Sequence, residues 1–399
     1  MRNENVKDSL KLTLLSLLMG GLCGGIGWLF AWVITQVTNL RIRHGWLICL
    51  LPVAGLLVVW LYRRFKVSGV GTNQVLTAAD GGKELSPWIT PVIFLTSAVS
   101  HLCGASVGRE GAALQLGGGL ASALGKLFRL TPRQTQILLR VGMAGVFSAV
   151  FGTPLAAFFF ALEVVCVGGI SWLSVIPCLV GSFGAYGVAH LLGAHAERFC
   201  LEILPAVSLT TVAQMAVLTA ACVVVGIGFC HLLHAGEHGF AKLIRCEYGR
   251  ILVGGVALVA LTALVGSQTY NGAGVSVIEQ VFEEGAVRPE AFALKMLFTC
   301  ISVACGYKGG EIVPTLFIGA TLGALVATLV GLPVAFGAAL GMIALFCCVT
   351  NCPLGSLFLA AELFSFGGFW YFLPVVAAVF AVSGKTGLYH TQKRKVLNF

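Results

Sequence analysis

Gly108-Arg109-Glu110-Gly111-Ala112 is the stretch whose reading decides this chain. It lies within GASVGREGAALQLGGGLASALG, residues 104–125, and sets an arginine and a glutamate in a glycine-framed break between two apolar segments. Gly309-Gly310-Glu311-Ile312-Val313-Pro314 forms a second break with a second glutamate. Each is followed by an apolar, glycine-spaced stretch that can restart a helix. An ionisable residue at membrane depth is costly, so it marks a functional site by default. Two interrupted segments at corresponding places in two halves of a chain point to a transporter's binding site.

The composition places both breaks in a membrane. The 399 residues are 58% hydrophobic and 10% charged, with a mean hydropathy of +0.94. Soluble domains average about 25% charged residues, so these few charges cannot coat a water-soluble surface. The 51 glycines let helices approach closely and let backbone turn at depth. The formal net charge of +9 reads as positive-inside patterning, not as a nucleic-acid footprint. Basic clusters at Arg41/Arg43, Arg63-Arg64-Phe65-Lys66 and Lys393-Arg394-Lys395 fit a multi-pass protein of the plasma (inner) membrane with both termini cytoplasmic. The start, MRNENVKDSLK, leads into an apolar run without a small-residue cleavage site and reads as retained. Most of the 14 cysteines lie in apolar runs, where thiols act as small hydrophobes. No C-x-x-C pair offers a zinc site.

Apolar runs recur at about 11–38, 45–61, 89–103, 112–128, 137–150, 154–168, 170–194, 207–233, 251–266, 291–305, 315–331, 333–349, 353–364 and 368–383. TPRQTQ (131–136) reads as a polar connection and HAGEHGFAKLIRCEYGR (234–250) as an amphipathic connector. Several runs are shorter than the roughly 20 residues that cross a bilayer. They predict tilted, broken or re-entrant helices around a cavity. FGTPLAAFFFALEVV from Phe151 and TNCPLGSLFLAAELF from Thr350 form an internal repeat. At an offset of 199, Pro154/Pro353, Leu155/Leu354, Phe159/Phe358, Ala161/Ala360 and Glu163/Glu362 coincide, and Arg109 falls on Lys308 and Gly111 on Gly310. The expected organisation is one membrane domain over 1–399, in halves of about 1–200 and 201–399.

Four glutamates sit in apolar surroundings: Glu110, Glu163, Glu311 and Glu362. Glu163 and Glu362, near the far ends of their helices, read as caps or interface pairs. Glu110 and Glu311 are the sharper candidates. Glycines at a helix start leave N–H groups free where the macrodipole is positive, which attracts an anion. A carboxylate on the same loop can occupy that spot itself and leave it on taking a proton. Burial disfavours a charged carboxylate and a helix N-terminus favours it, so such a group can exchange protons while an anion passes.

Other motifs carry less. Ser383-Gly384-Lys385-Thr386 looks like the tail of a phosphate loop, but Val379 stands where that loop needs glycine. His231, His234 and His238 share a helical face with Glu237 nearby; they read as interfacial histidines ahead of metal ligands. No nucleophile–base constellation indicates an enzyme, and no cofactor motif is present.

GREGA, GGEIVP and the two proline-leucine-to-glutamate helices resemble the CLC family of chloride channels and anion/proton antiporters. Ser68-Gly69-Val70-Gly71-Thr72-Asn73 falls where that family has its first anion-binding loop. Tyr389, in SGKTGLYHTQ, falls where the family has a tyrosine whose hydroxyl reaches the anion. The resemblance implies an all-α membrane fold of inverted repeats of tilted and broken helices, and a homodimer with one pathway per subunit. It leaves no room after residue 399 for a cytoplasmic regulatory domain. Carried onto this sequence, it implies gating and proton transfer by Glu110 and Glu311. It also implies anion binding around Gly69, Val70, Gly71, Gly108, Arg109, Gly111, Gly309, Gly310, Val313 and Tyr389.

Departures define the subtype. Val70 replaces the first-loop serine of chloride members, and Val164 stands where proton-coupled chloride members often carry an inner glutamate. Glu311 replaces an apolar residue, which resembles the fluoride/proton antiporter branch. That branch often has methionine or asparagine where Val70 stands and threonine where Val313 stands. The expected function is therefore fluoride/proton exchange that exports fluoride. A chloride or broadly selective anion/proton antiporter of the same fold is the alternative, and a passive chloride channel a third. The partners expected are the anion, protons and the lipid bilayer, with no nucleic acid.

Overall fold

Helix follows helix from end to end. The computed structural model describes residues 2–384 and 386–394; Lys385 of the SGKT stretch and Lys395 of the C-terminal basic cluster lie outside them. The first eight helices are α1 (Arg2–Arg43), α2 (Leu51–Arg64), α3 (Thr72–Ala79), α4 (Ile89–Leu102), α5 (Glu110–Leu127), α6 (Pro132–Phe151), α7 (Pro154–Glu163) and α8 (Trp172–Leu191). The second eight are α9 (Leu209–Leu243), α10 (Glu247–Val265), α11 (Val275–Glu284), α12 (Ala291–Cys305), α13 (Ile312–Val330), α14 (Val334–Thr350), α15 (Pro353–Phe364) and α16 (Phe369–Val382). Two two-residue strands, β1 (Cys166–Val167) and β2 (Lys393–Arg394), pair in parallel.

Seven helices among the described residues are long and apolar enough to cross a membrane. Others, such as α7 with 10 residues and α15 with 12, rise about 1.5 Å per residue. They fall well short of a hydrocarbon core of about 30 Å. The chain is a multi-pass membrane protein.

Two segments read as connectors are helical. Thr131 caps α6: its Oγ1 accepts from Gln134 N–H, while Gln134 Oε1 accepts from Thr131 N–H, with proline at the first helical position. TPRQTQ is thus the start of a helix. The connector at 234–250 is mostly helix: α9 runs through His234 to Leu243 and α10 begins at Glu247.

The repeat offset also changes along the chain. α7 and α15 start 199 residues apart, but α5 and α13 start 202 apart, since α6 has 20 residues and α14 only 17. Helix packing follows both offsets. A Cβ on Gly117 would stand 2.1 Å from Gly142 O, and one on Gly319 would stand 2.4 Å from Gly341 O. Both crossings need small residues for backbone contact. Gly108 therefore corresponds to Gly310 and Arg109 to Glu311, in place of the Arg109/Lys308 match.

Glu163 and Glu362 are reciprocal caps. Glu362 accepts from Leu155 N–H (3.0 Å) and Ala156 N–H (2.8 Å), at the start of α7. Glu163 accepts from Leu354 N–H (3.1 Å) and Gly355 N–H (2.9 Å), at the start of α15. Between them the repeat mates Phe159 and Phe358 stack at 4.3 Å. Residues that are equivalent and also touch each other lie on the pseudo-two-fold axis that relates the halves.

The two faces differ in charge. Asn73 accepts from Thr391, Asp80 pairs with Lys393, and Arg63 pairs with Glu247, which draws the loops after α2, α3, α9 and α16 to one face. The α5–α6 turn joins them beside Gly81–Leu85. This basic face carries Arg63, Arg64, Lys66, Lys126, Arg129, Arg133, Lys242, Arg245 and Lys393. The opposite, acidic face gathers Glu197, Glu202, Glu279 and Glu283, with Arg198, around one hollow, and the Arg41/Arg43 cluster lies at this end, where Arg41 donates to Gln268 after α10.

Candidate functional site

The two breaks meet back to back. α4 ends at Leu102 and Gly104 turns the chain at φ +86°; α12 ends at Cys305 and Gly306 turns it at φ +105°. Each chain then crosses the middle of the fold and restarts as α5 or α13. Gly108 N–H donates to Gly310 O at 2.6 Å, and Gly310 N–H donates to Gly108 O at 2.7 Å, an isolated antiparallel bridge. A Cβ on Gly310 would stand 2.2 Å from Gly111 N, so only glycine allows the contact. These N–H groups are thus not free for an anion, contrary to the expectation from sequence. Backbone groups buried away from water must pair, and each break satisfies the other.

Glu110 begins α5 and is fully buried. Its Oε2 accepts from Val313 N–H at 3.3 Å, in the first turn of α13. The carboxylate therefore sits across the bridge, on the positive end of the other half's helix. Arg109 lies beside it, with Nε 3.6 Å from Glu110 Oε1, and its Nη2 is ion-paired with Glu197 from the α8–α9 loop. Arg109 thus links Glu110 to the acidic face, where a hollow of about 710 Å³ opens.

On the other side of the bridge lies a cavity of about 300 Å³ that reaches the basic face. Gly69, Val70 and Gly71 of the first loop, Gly309 and Glu311 of the second break, and Tyr389 all line it. The Tyr389 hydroxyl is buried and has no hydrogen-bond partner among the described residues. It lies within electrostatic reach of both Glu311 and Glu110. The structure therefore brings Glu311, Tyr389 and Val70 together in one cavity. Gly108, Arg109, Glu110, Gly111, Gly310 and Val313 do not line it; Glu110 is bonded to Val313 N–H, two residues after Glu311. Asn73, at the end of the first loop, and Gln115 also face the cavity; of the two, Gln115 was missed in the sequence. Gln115 could have been found as the one uncharged amide in the apolar start of α5, five residues after Glu110.

This arrangement can hold an anion between two vestibules, and it can carry a proton on either carboxylate. Two of the four helix starts near the axis, those of α7 and α15, are filled by Glu362 and Glu163. The starts of α5 and α13 remain, with Glu110 resting on α13.

Broken helices meeting around a buried carboxylate define a membrane ion transporter of the CLC architecture. Residues 54–384 match the voltage gated chloride channel family, and the chain belongs to that family. It is 36% identical over 385 residues to a chloride/fluoride channel protein of Pseudomonas syringae pv. tomato, spanning 93% of this chain and 84% of that relative. It is 25% identical to the H(+)/Cl(-) exchange transporter ClcA of Vibrio cholerae, spanning 90% and 82%. The crystal structure of a CLC-type fluoride/proton antiporter superposes with a TM-score of 0.93 at 29% identity, covering 97% of this chain and 98% of that one.

Proposed function

We propose that this protein is a fluoride/proton antiporter that exports fluoride. The observation that carries the reading is Glu110 seated on the Val313 N–H, with Glu311 and Tyr389 in the cavity beyond. As a carboxylate, Glu110 fills the place an anion would take. On protonation it loses its attraction for Arg109 and for the helix end, and the place opens to an anion. Glu311 handles the proton on the cavity side, and Tyr389 donates to the anion. Fluoride is small and strongly hydrated, so its route must replace water with close donors, and a protonated carboxyl is one. The carboxylate in the second break, together with the names of the relative and of the structural neighbour, supports fluoride.

The reading extends to assembly and orientation. One membrane domain of two inverted halves forms a pathway, and two chains associate as a homodimer. The excess of Lys and Arg makes the basic face cytoplasmic, with both termini on that side in the plasma membrane. HF enters neutral and dissociates inside, and inward protons drive the fluoride out.

Proteoliposomes loaded with fluoride or chloride, with external pH followed together with efflux, test this. Fast fluoride efflux with coupled proton uptake and slow chloride efflux is expected. Chloride efflux as fast as fluoride efflux would assign the chain to broadly selective anion transport and remove the role given to Glu311. Fluoride efflux without proton movement would make it a passive channel.

A further inference from the structure

The histidines of α9 acquire a setting that the sequence did not show. His234 packs against His390 of the C-terminal segment, with ring centroids 4.0 Å apart. His390 Nε2 stands 4.0 Å from Glu237 Oε2, one turn along α9. His234, Glu237 and His390 line the same cavity as Glu311 and Tyr389. A second hollow of about 480 Å³ shares His234, Tyr389 and His390, so the ring pair stands where two openings meet. The side chains of His390 and Glu237 are 46% and 44% exposed, so this cluster touches solution at the basic face.

A carboxylate at the depth of Glu311 completes a proton cycle only if its proton reaches bulk water. Imidazole is the side chain whose ordinary pKa, about 6.5, suits both uptake and release near neutrality. We propose that His234 and His390, with Glu237, form a proton-exchange station between Glu311 and the solution at the basic face. This rests on the proton-coupled reading above. The Glu311 carboxyl gives its proton, through water in the cavity, to a ring nitrogen of His234 or His390. The resulting imidazolium releases it to solution, and Glu311 is left as a carboxylate. Two imidazolium rings at this separation repel, so the pair carries one proton at a time, and Glu237 offsets its charge.

Among the described residues, the titratable groups facing the station come from three segments besides α9. Lys308 and Glu311 approach from the second break and Tyr389 from the C-terminal segment. Glu247 and Arg250 of α10 act electrostatically on Lys308. His231 and His238 lie on α9 itself, and both act electrostatically on His234. His238 also reaches the His234 carbonyl through Nδ1, and its ring does not line the cavity.

Fluoride efflux and proton uptake are measured together in proteoliposomes at pH steps between about 5.5 and 8.5, around the ordinary imidazole pKa. The wild type should show a proton flux with an inflection inside that pH range. H234Q/H390Q should keep fluoride efflux, lose proton flux by at least about tenfold and lose the inflection. H238Q should behave as the wild type. Proton flux and pH profile unchanged in the double variant would overturn the proposal. If the double variant does not fold, H390Q alone, altered at a half-exposed side chain, must lower proton flux at least about threefold; an unchanged flux again overturns it. A wild type that moves no protons would sink the antiporter reading itself, whereas a coupled wild type with a coupled double variant sinks only this station.

Discussion

Truncating either reciprocal cap should destabilise the protein by a predictable amount. Glu362→Ala removes both acceptors from the start of α7, and Glu163→Ala does the same at α15. A hydrogen bond to a charged group contributes about 1.5–3 kcal/mol, so losing two costs about 3 kcal/mol at the lower end. The lower end applies because Glu362 is only partly buried, and water can approach the freed N–H groups. For 399 residues and an unfolding entropy of roughly 2.1 cal/mol/K per residue, 3 kcal/mol corresponds to a fall of about 4 °C. Helix that persists in detergent lowers that entropy and enlarges the fall. Glutamine keeps one acceptor, so E362Q should fall by about half as much. Glu163 is buried where Glu362 is only partly so, so E163A should fall at least as far as E362A. The assay is the thermal midpoint for loss of the monodisperse species in detergent, measured by size-exclusion fluorescence. An unchanged midpoint in E362A would show that these carboxylates do not hold the two helix starts.

Three further outcomes follow from the site. E110Q should let fluoride pass while coupled proton uptake falls at least about tenfold, read in the proteoliposome assay; coupling retained in E110Q would displace Glu110 as the gate. Y389F removes a hydroxyl without a partner among the described residues, so the thermal midpoint should hold while fluoride binding by calorimetry weakens about tenfold. An unchanged affinity would place the anion elsewhere. G310A forces a Cβ to 2.2 Å from Gly111 N and should cost about 3 kcal/mol or prevent folding; a folded, active G310A would mean that the two breaks do not pair as described.

Much of this protein is legible in its sequence because the deciding signals are local. A charge content of 10% excludes a water-coated surface, and Gly108–Ala112 and Gly309–Pro314 interrupt apolar runs wherever those runs come to lie. The Pro154 and Pro353 repeats show duplication without any fold. Glu110 and Glu311 stand out because a carboxylate in apolar surroundings is costly in any packing.

Tertiary structure decided what each of these groups touches. That Gly108 and Gly310 consume each other's N–H groups depends on two segments some two hundred residues apart arriving antiparallel. The same is true of Glu163 and Glu362, each of which caps the other's helix rather than its own. The shift from an offset of 199 to 202 stayed hidden because the shorter α14 carries no marker of its missing residues. His390 lies far from His234 in the chain, so no helical spacing could pair them. Spacing within one helix follows from its 3.6-residue turn and is written locally. Contact between helices follows from how their small-residue faces dock, which only the assembled fold determines.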